Sequence, residues 1–466
     1  MARGVWEQMA KIEKTKYLII GNSAGGIGAA EAIREVDKAG AITIISDEPY
    51  PAYSRPLISE YLVNRCPLER MLFRPPDFYE KSNIQTVFGE KVMQVNFNEY
   101  IVTLKQVQGK SGRTLTWQKL LLATGGLPIV PKIDGIGLKG VFTFTKLDDA
   151  KAIDEFLNPL KQVQGRRKVR AVVIGGGLIG VSVTEALVKR GVEVKIVEMK
   201  ERVLSTILDE EASALEEKAL TQAGVEIITG HTVGNIGTLN LVQGTGVDLD
   251  DTRPIPCEVV IVAIGVQPRV ELVSESGIKT NRGIVVDRHM ATSRPDVYAC
   301  GDVAEAYDFV YGENRLTPIW PNAYLGGRIA GLNMAGIPTE YQGGTAMNAM
   351  KYFGINIVSA GMVIPPDDSY EVISSKHDHV YKKVVLKDRL IVGMVFSGDI
   401  EKSGIIYNLM KDRVNVDSFK QALVGDDFGL SSLPEEIWRP RLAIPPSMSA
   451  SLVTSVKQPE EMLVGE

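Results

Sequence analysis

Residues 169–198 read VRAVVIGGGLIGVSVTEALVKRGVEVKIVE, and this pattern decides the fold of the middle of the chain. The apolar run at 169–174 predicts a buried strand, residues 181–190 have helical periodicity, and a second strand ends on Glu198. A glycine turn between strand and helix aims free helix N–H groups at a pyrophosphate, and an acid at this distance meets a ribose. We therefore predict a dinucleotide-binding unit whose turn contains Gly175, Gly177, Leu178, Ile179 and Gly180.

A second, less complete copy of the pattern lies at residues 16–36, KYLIIGNSAGGIGAAEAIREV. The three positions of its glycine turn are occupied by Gly21, Ser23 and Gly26, and residues 27–36 have helical periodicity. The next strand, AITIIS, ends at Asp47 and Glu48, where an acid would again meet a ribose. A second dinucleotide site is favoured here, and a plain strand–turn–helix is the alternative.

The bulk properties of the chain exclude several classes of protein. A chain of 466 residues is too long for one core, so about two to four domains are expected. The net charge of −5 implies no basic face, which argues against nucleic acid. Residues 1–16 lack the apolar stretch of a signal peptide and other apolar runs are too short to cross a bilayer, so we expect a cytoplasmic protein without membrane insertion. The three cysteines are too widely spaced for a disulfide framework or a zinc site, and no metal is expected.

Four further segments share an order along the chain with one known group of enzymes. They are PYPAYSRPLIS (49–59), LLLATGG (120–126), VIVAIGVQP (260–268) and TSRPDVYACGD (292–302). Together with the two glycine turns they resemble the FAD-dependent pyridine nucleotide oxidoreductases. That group includes rubredoxin and ferredoxin reductases, NADH oxidases and the NADH-binding part of assimilatory nitrite reductase. The chain most resembles the flavin subunits that link NAD to iron–sulfur oxidoreductases.

The resemblance implies an α/β fold with two Rossmann-like dinucleotide-binding domains, for FAD and NAD, followed by a C-terminal α+β domain. We expect a discontinuous FAD domain at 1–150 and 287–345, an NAD(H) domain at 151–286, and a C-terminal domain at 346–440. The last should contain a hairpin around Asp388 and a helix after Asp399. Residues 441–466 lack periodicity and are predicted to be a flexible tail.

The resemblance also transfers binding roles onto individual positions. The implied FAD contacts are Gly21, Ser23, Ala24, Gly26, Asp47, Glu48, Arg55, Val92, Ala123, Thr124, Gly125, Asp302, Asn322 and Ala323. The implied NAD contacts are Gly175, Gly177, Leu178, Ile179, Gly180, Glu198 and Gly265.

Several of these roles have structural alternatives. Asp302 is expected to hold the ribityl chain, and it could also cap a helix over the following VAEAY. Arg55 is expected near the flavin diphosphate, or else it is a solvated loop arginine. A helix over 319–336, with Pro321 in its first turn, should point its N–H groups at the flavin ring. Trp320 either packs on the isoalloxazine or belongs to the core.

The sequence departs from the family at the positions that usually carry catalysis. The cysteine pair of the disulfide reductases and the single cysteine of the thiol-dependent oxidases are both absent from the matching positions, and Cys66 lies outside them. Relatives place a lysine near Glu60 and a glutamate at Ser182, and neither is present here. No catalytic residue is therefore assigned. Cys300 lies in a strand motif and is expected to be buried.

The choice of nicotinamide nucleotide depends on Glu198. A carboxylate accepts hydrogen bonds from both ribose hydroxyls and repels a 2′-phosphate at the same place. Lys200 and Arg202 lie close enough in sequence to weaken that repulsion. The pattern favours NADH over NADPH without excluding the latter.

Three functions are compatible with these features. We expect hydride transfer from NADH at the flavin N5, with electrons passed on to an iron–sulfur or rubredoxin-like partner. The chain would then be a flavin enzyme on its own or the flavin subunit of a larger complex. The alternatives are an NADH oxidase that reduces oxygen, and an NAD(H)-sensing flavoprotein without significant turnover.

Overall fold

The computed structural model describes residues 13–105, 113–163, 168–237 and 246–442. The helices are α1 (Ala24–Val36), α2 (Ile58–Leu62), α3 (Leu68–Met71), α4 (Phe78–Lys81), α5 (Leu147–Val163), α6 (Leu178–Lys189), α7 (Glu210–Gln222), α8 (Trp320–Met334), α9 (Ser403–Lys411) and α10 (Glu435–Leu442). The strands are β1 (Glu13–Lys14), β2 (Tyr17–Ile20), β3 (Ile42–Ser46), β4 (Ile84–Phe88), β5 (Val92–Asn96), β6 (Ile101–Leu104), β7 (Thr114–Thr116), β8 (Lys119–Leu122), β9 (Gly126–Pro128), β10 (Val141–Thr143), β11 (Arg170–Ile174), β12 (Glu193–Glu198), β13 (Glu226–Thr229), β14 (Val233–Ile236), β15 (Gly246–Leu249), β16 (Pro254–Pro256), β17 (Val259–Val262), β18 (Val266–Pro268), β19 (Ile284–Val285), β20 (Val297–Ala299), β21 (Ala304–Asp308), β22 (Glu313–Arg315), β23 (Met347–Tyr352), β24 (Ile355–Gly361), β25 (Glu371–His377), β26 (Val380–Lys387) and β27 (Leu390–Ser397).

Two five-stranded parallel sheets, which share the order of four of their strands, dominate the structure. The first has the order β20-β8-β2-β3-β4 and the second the order β10-β17-β11-β12-β13. Their central strands, β2 and β11, are apolar and buried almost throughout, as expected for parallel strands covered on both faces. β10 lies within residues 1–150, the range predicted for the FAD domain, but it pairs with β17 in the second sheet. The predicted pair of Rossmann-like units is confirmed.

The two units are also alike in their inserted segments and are joined to each other. In each unit an antiparallel three-stranded meander is inserted between two strands of the parallel sheet. β5-β6-β7 lie between β4 and β8, and β14-β15-β16 lie between β13 and β17. After β8 and β17 the chain enters β9 and β18, which pair antiparallel. Since β9 and β18 follow the carboxyl ends of parallel strands, they connect the two sheet edges at which ligands usually bind in this type of fold.

The C-terminal part is a separate antiparallel sheet with the order β23-β24-β27-β26-β25, covered by α9. The predicted hairpin is β26–β27, with Asp388 and Arg389 at its turn, and α9 follows Asp399 as expected. The α+β class is confirmed. Of the predicted tail at 441–466, the first two residues belong to α10, and the remainder lies outside the described residues.

Three predicted helix boundaries or elements differ from the structure. α1 begins at Ala24 and α6 at Leu178, three residues before the predicted starts, because the turn residues already have helical geometry. The predicted helix over VAEAY is wrong. These residues form β21, which pairs with β19 and β22, so sheet pairing outweighs the helix propensity of alanine and glutamate.

Glycines allow α1 and α8 to pack with their backbones almost touching. A Cβ added to Gly327 would lie 2.0 Å from the carbonyl oxygen of Gly25, and one on Gly331 would lie 2.4 Å from that of Ala29. From the other side, a Cβ on Gly28 would lie 2.5 Å from the carbonyl oxygen of Tyr324. The spacing of the two helices therefore depends on side chains being absent.

Of the helices in the described ranges, none combines the length and apolar character that crossing a lipid bilayer requires.

Replacing Gly327 with Ala should lower the free energy of unfolding by about 1–3 kcal/mol, because α1 and α8 must move apart. The matched control is Gly404→Ala in α9, where an added Cβ meets no described atom within 4 Å and little change is expected. Urea unfolding of both variants measures the difference. Equal midpoints for the two variants would contradict the proposed backbone packing.

Candidate functional site

The first glycine turn lies between β2 and α1 and closes against the loop after β8. Gly21 has φ +123°, and a Cβ there would lie 2.0 Å from the carbonyl oxygen of Ala123. A Cβ on Gly26 would lie 2.0 Å from the carbonyl oxygen of Gly21. Ser23 is the N-cap of α1, and its side chain makes no capping hydrogen bond to a described residue. The first N–H groups of α1, beginning at Ala24, are thus left available.

The second glycine turn repeats this geometry between β11 and α6. Gly175 has φ +103°, and a Cβ there would lie 2.5 Å from the carbonyl oxygen of Ala263. A Cβ on Gly180 would lie 1.9 Å from the carbonyl oxygen of Gly175. At the N-cap, a Cβ on Gly177 would meet no described atom within 4 Å. The turn is closed toward the protein and open on the side where a ligand would approach.

The starts of α1 and α6 differ from that of a nearby helix with its own cap. α7 begins after Asp209, whose carboxylate accepts a hydrogen bond from the Ala212 N–H at 3.2 Å, and two glutamates follow in its first turn. In α1 and α6 the first turn contains no acidic residue among those described. Free N–H groups at the positive end of a helix bind phosphate. The two turns therefore fit the pyrophosphates of two dinucleotides, the second through Leu178, Ile179 and Gly180.

Glu198 lies at the end of β12, directly beside the second turn. Its Oε2 accepts a hydrogen bond from the Gly176 N–H at 2.6 Å, and its Oε1 accepts one from the Lys200 N–H at 2.8 Å. These two bonds fix the carboxylate at the edge of the turn, where a bound ribose would lie.

The two acids after β3 have different surroundings. Glu48 is mostly buried, accepts a hydrogen bond from the Tyr53 hydroxyl at 2.5 Å and pairs with Arg55. Asp47 is more exposed, and its Oδ2 lies 3.0 Å from a guanidinium nitrogen of Arg269. Asp47 is therefore the better candidate for the ribose, while Glu48 orients Arg55.

Arg55 and Asp302 interact electrostatically although they are far apart in sequence. Burial raises the pKa of the Asp302 carboxyl, and the positive charge of Arg55 partly opposes this. Arg55 also donates a hydrogen bond to the carbonyl oxygen of Thr145 at 3.1 Å. Asp302 lies in a short 3-10 turn after β20, and β21 follows, so the alternative that it caps a helix is wrong.

The loops after β8 and β17 are held together by the segment that follows β18. The Thr124 hydroxyl donates to the carbonyl oxygen of Arg269 at 3.0 Å, and the Arg269 N–H donates to the carbonyl oxygen of Gly125 at 3.0 Å. Gly265 occupies the corresponding place in the second loop, and its carbonyl oxygen accepts from the Ile129 N–H at 2.9 Å. The two ligand-facing loops are thus a single bonded unit.

The start of α8 lies against the first turn. A Cβ on Gly25 would lie 3.3 Å from the carbonyl oxygen of Ala323, and one on Gly301 would lie 3.3 Å from the Ala323 Cβ. Asn322 donates to the carbonyl oxygen of Thr345 at 3.2 Å. The structure thus brings together the first turn, the turn that carries Asp302 and the predicted N-terminus of α8.

Trp320 and Val92 are two further residues that were predicted to lie near the flavin. Trp320 is partly buried and packs edge to face on Phe73, with ring centroids 5.0 Å apart, a partner that the sequence did not indicate. Val92 is buried at the start of β5. Two residues earlier, the Glu90 N–H donates to the carbonyl oxygen of Ser46 at 3.1 Å, which places the start of β5 near Asp47.

None of the three cysteines is in a disulfide, and two of them are deeply buried. Cys300 lies directly beneath the first turn, where a Cβ on Gly25 would be 2.7 Å from its sulfur. Burial raises the pKa of Cys300 to about 12, and also that of Cys257. Cys66 is partly buried and its sulfur lies 3.9 Å from the carbonyl oxygen of Pro67. Both buried thiols are therefore protonated at neutral pH and poor nucleophiles.

Within the described ranges, one group of side chains has the spacing of metal ligands. It consists of His231, Asp250 and Asp251 on an exposed turn. Arg253 lies 3.0 Å from the Asp251 carboxylate and 3.1 Å from the second ring nitrogen of His231. A guanidinium therefore already occupies the space beside these groups.

Two protein-family models match the chain. One, described as pyridine nucleotide-disulphide oxidoreductase, matches residues 15–327 and so covers both dinucleotide units. The other, described as the rubredoxin NAD+ reductase C-terminal domain, matches residues 347–414.

Two curated relatives differ in how much of their length the chain covers. The assimilatory nitrate reductase electron transfer subunit of Bacillus subtilis is 30% identical over 406 residues, which are 86% of this chain but only 50% of that protein. The epsilon subunit of NADH-dependent phenylglyoxylate dehydrogenase from Aromatoleum evansii is 30% identical over 437 residues, 92% of this chain and 99% of the relative. The chain thus spans half the length of the first relative and nearly all of the second.

A third relative has a solved structure. NADH-rubredoxin oxidoreductase of Clostridium acetobutylicum is 30% identical over 390 residues, 84% of this chain and 92% of that protein. The crystal structure of NADH:rubredoxin oxidoreductase from this organism matches with a TM-score of 0.68 at 28% identity, covering 87% of this chain and 97% of the other. The chain therefore belongs to the pyridine nucleotide-disulphide oxidoreductase family, whose members are FAD-dependent NAD(P)H oxidoreductases.

Proposed function

We propose that the chain takes electrons from NADH and passes them through its flavin site to an iron–sulfur or rubredoxin-like protein, without a redox-active disulfide. FAD would bind at the first glycine turn and NAD(H) at the second. When bound, the flavin supplies the hydride and single-electron chemistry, and the protein contributes orientation and charge.

The pairing of β9 with β18 is the observation that carries this proposal. It joins the ligand-facing loops of the two units, so two dinucleotides bound at the carboxyl edges of the sheets would extend toward a common region. Arg269 reinforces the junction, since its backbone bonds to Thr124 and Gly125 while its side chain pairs with Asp47. A single dinucleotide-binding dehydrogenase would not need a second unit joined in this way.

The residues proposed to hold FAD are those that surround the first turn. Phosphate binding is assigned to the N–H groups at the start of α1, ribose binding to Asp47, and the ribityl chain to Asp302 beside Arg55. Asp302 is partly buried and its carboxyl has a raised pKa, so hydrogen bonds from the hydroxyls of a ribityl chain would compensate for the hydration that burial removes. The remaining proposed contacts are Gly21, Ser23, Ala24, Gly26, Glu48, Val92, Ala123, Thr124, Gly125, Asn322 and Ala323.

The residues proposed to hold NAD(H) surround the second turn. The pyrophosphate would bind the N–H groups at the start of α6, and the adenosine ribose would bind Glu198. A 2′-phosphate would meet the Glu198 carboxylate at close range, which favours NADH over NADPH. The remaining proposed contacts are Gly175, Gly177, Leu178, Ile179, Gly180 and Gly265.

The nature of the acceptor is inferred from the relatives and from the thiols. One relative is named an NADH-rubredoxin oxidoreductase, one an electron transfer subunit and one the epsilon subunit of a dehydrogenase. The buried, protonated state of Cys257 and Cys300 argues against a thiol relay. We therefore infer direct transfer from flavin to an iron–sulfur or rubredoxin-type partner, either in solution or within a larger cytoplasmic complex.

Comparison of acceptors tests the proposed function. In air, the flavin-loaded protein should oxidise NADH slowly on its own, and adding a rubredoxin or a ferredoxin should accelerate NADH oxidation while that protein becomes reduced. Stopped-flow absorbance follows the nucleotide and the acceptor separately. Fast NADH consumption that no iron–sulfur protein stimulates would instead establish an oxidase.

Replacing Glu198 with Gln should raise the KM for NADH about tenfold, the size expected for loss of a charge-assisted hydrogen bond. The preference of the enzyme for NADH over NADPH should become smaller. Glu193→Gln is the matched control, because Glu193 is exposed at the other end of β12. Steady-state kinetics with both nucleotides, at equal flavin content, provide the measurement. An unchanged ratio of NADH to NADPH use would remove Glu198 from the proposed site.

A further inference from the structure

The C-terminal sheet sends one hairpin toward the second dinucleotide unit. β23 and β24 are joined by Phe353, with φ +48°, and Gly354, with φ +91°. Two consecutive residues with positive φ form the tight two-residue turn that suits the twist of a hairpin. The tip is therefore narrow, and the last residue of β23, Tyr352, lies beside it.

The hairpin tip lies along one face of α6. The Tyr352 hydroxyl donates to the carbonyl oxygen of Leu178 at 3.5 Å, and the Ser182 hydroxyl is close enough to lower the pKa of Tyr352. The Phe353 N–H donates to the Glu185 carboxylate at 2.9 Å. The three helix residues are four and then three positions apart, so they form a single stripe over the first two turns of α6.

The environment keeps the Tyr352 hydroxyl a hydrogen-bond donor. The pKa of Tyr352 is raised to about 12, mainly by burial; Ser182 opposes this shift, and the carboxyl groups of Glu216 and Glu185 contribute to it. Glu216, on α7, is completely buried, and neither of its oxygens has a partner among the described residues. The phenol therefore stays protonated over the range in which the protein would work.

Leu178 connects this contact with the proposed nucleotide site. Its N–H is among the first free N–H groups of α6, and its carbonyl oxygen is the atom that Tyr352 approaches. A displacement of the hairpin would thus be transmitted to the turn that is proposed to hold the pyrophosphate. A contact that only held two domains together would not need to lie on the first turn of this helix.

We propose that Tyr352 is a positioning residue for the second dinucleotide site, through which the C-terminal domain holds the start of α6 in its binding geometry. This inference rests on the proposed function, in which that site binds NAD(H). Because Tyr352 acts on the nucleotide site only through Leu178 and Ser182, its hydroxyl takes no part in the hydride-transfer step. Binding of the nucleotide should weaken when the hydroxyl is removed.

Tyr352→Phe in the flavin-loaded full chain tests the proposal. The KM for NADH should rise about threefold to tenfold, as expected for one lost hydrogen bond, with kcat nearly unchanged. The dissociation constant of NAD⁺, measured by isothermal titration calorimetry, should rise by a similar factor. Tyr381→Phe is the matched control, because the Tyr381 hydroxyl also links the C-terminal sheet to the second unit but donates to Asp209 at the start of α7, at 2.7 Å.

Each result decides the matter. Weaker nucleotide binding in Tyr352→Phe, together with normal binding in Tyr381→Phe at comparable thermal stability, would support positioning. Unchanged nucleotide binding in Tyr352→Phe, or equal weakening in both variants, would reduce the contact to ordinary domain packing and overturn the proposal. Failure of NADH to reduce the wild-type flavin would instead overturn the proposed function, and this inference with it.

Discussion

A backbone carbonyl occupies the place of a side chain at both glycine turns, and the rest of the structure depends on this contact. Ala123 lies against Gly21, and Ala263 lies against Gly175. In each unit the contact joins the turn before the helix to the loop that leaves the neighbouring central strand. It therefore sets the distance between a helix N-terminus and the ligand-facing edge of the sheet, which is the geometry that a dinucleotide phosphate requires.

Close backbone packing extends from the first turn into the surrounding helices. Gly25 continues the turn and lies against the sulfur of Cys300 and beside Ala323, and its own carbonyl oxygen faces Gly327. The same small residues that bring α1 and α8 together thus leave a thiol enclosed and protonated. The unit proposed to bind FAD is built around tightly packed backbone, and Cys300 beneath its glycine turn has a structural role. This arrangement is consistent with electrons leaving the flavin directly.

Much of the fold and part of the site could be predicted from the sequence, because glycine spacing is a local signal. The turns at Gly175 and Gly21 and the acid Glu198 were all predicted to lie at the ends of their strands, and they do. Local propensity failed at VAEAY, where pairing with β19 and β22 decides the structure. The contact between Tyr352 and Leu178 could not be predicted, because the two residues are 174 positions apart. Tyr352 ends a strand of the C-terminal sheet, whereas Leu178 begins a helix of the second dinucleotide unit.

An anaerobic titration of the flavin-loaded protein with NADH tests most directly whether the flavin takes up electrons without help from a thiol. Complete bleaching of the flavin by one NADH per bound FAD is expected, because a protein without a redox-active thiol has no second place to store an electron pair. Uptake of a second NADH per flavin, or the long-wavelength absorbance of a thiolate against oxidised flavin, would show that a cysteine takes part. Either result would contradict the proposed electron route.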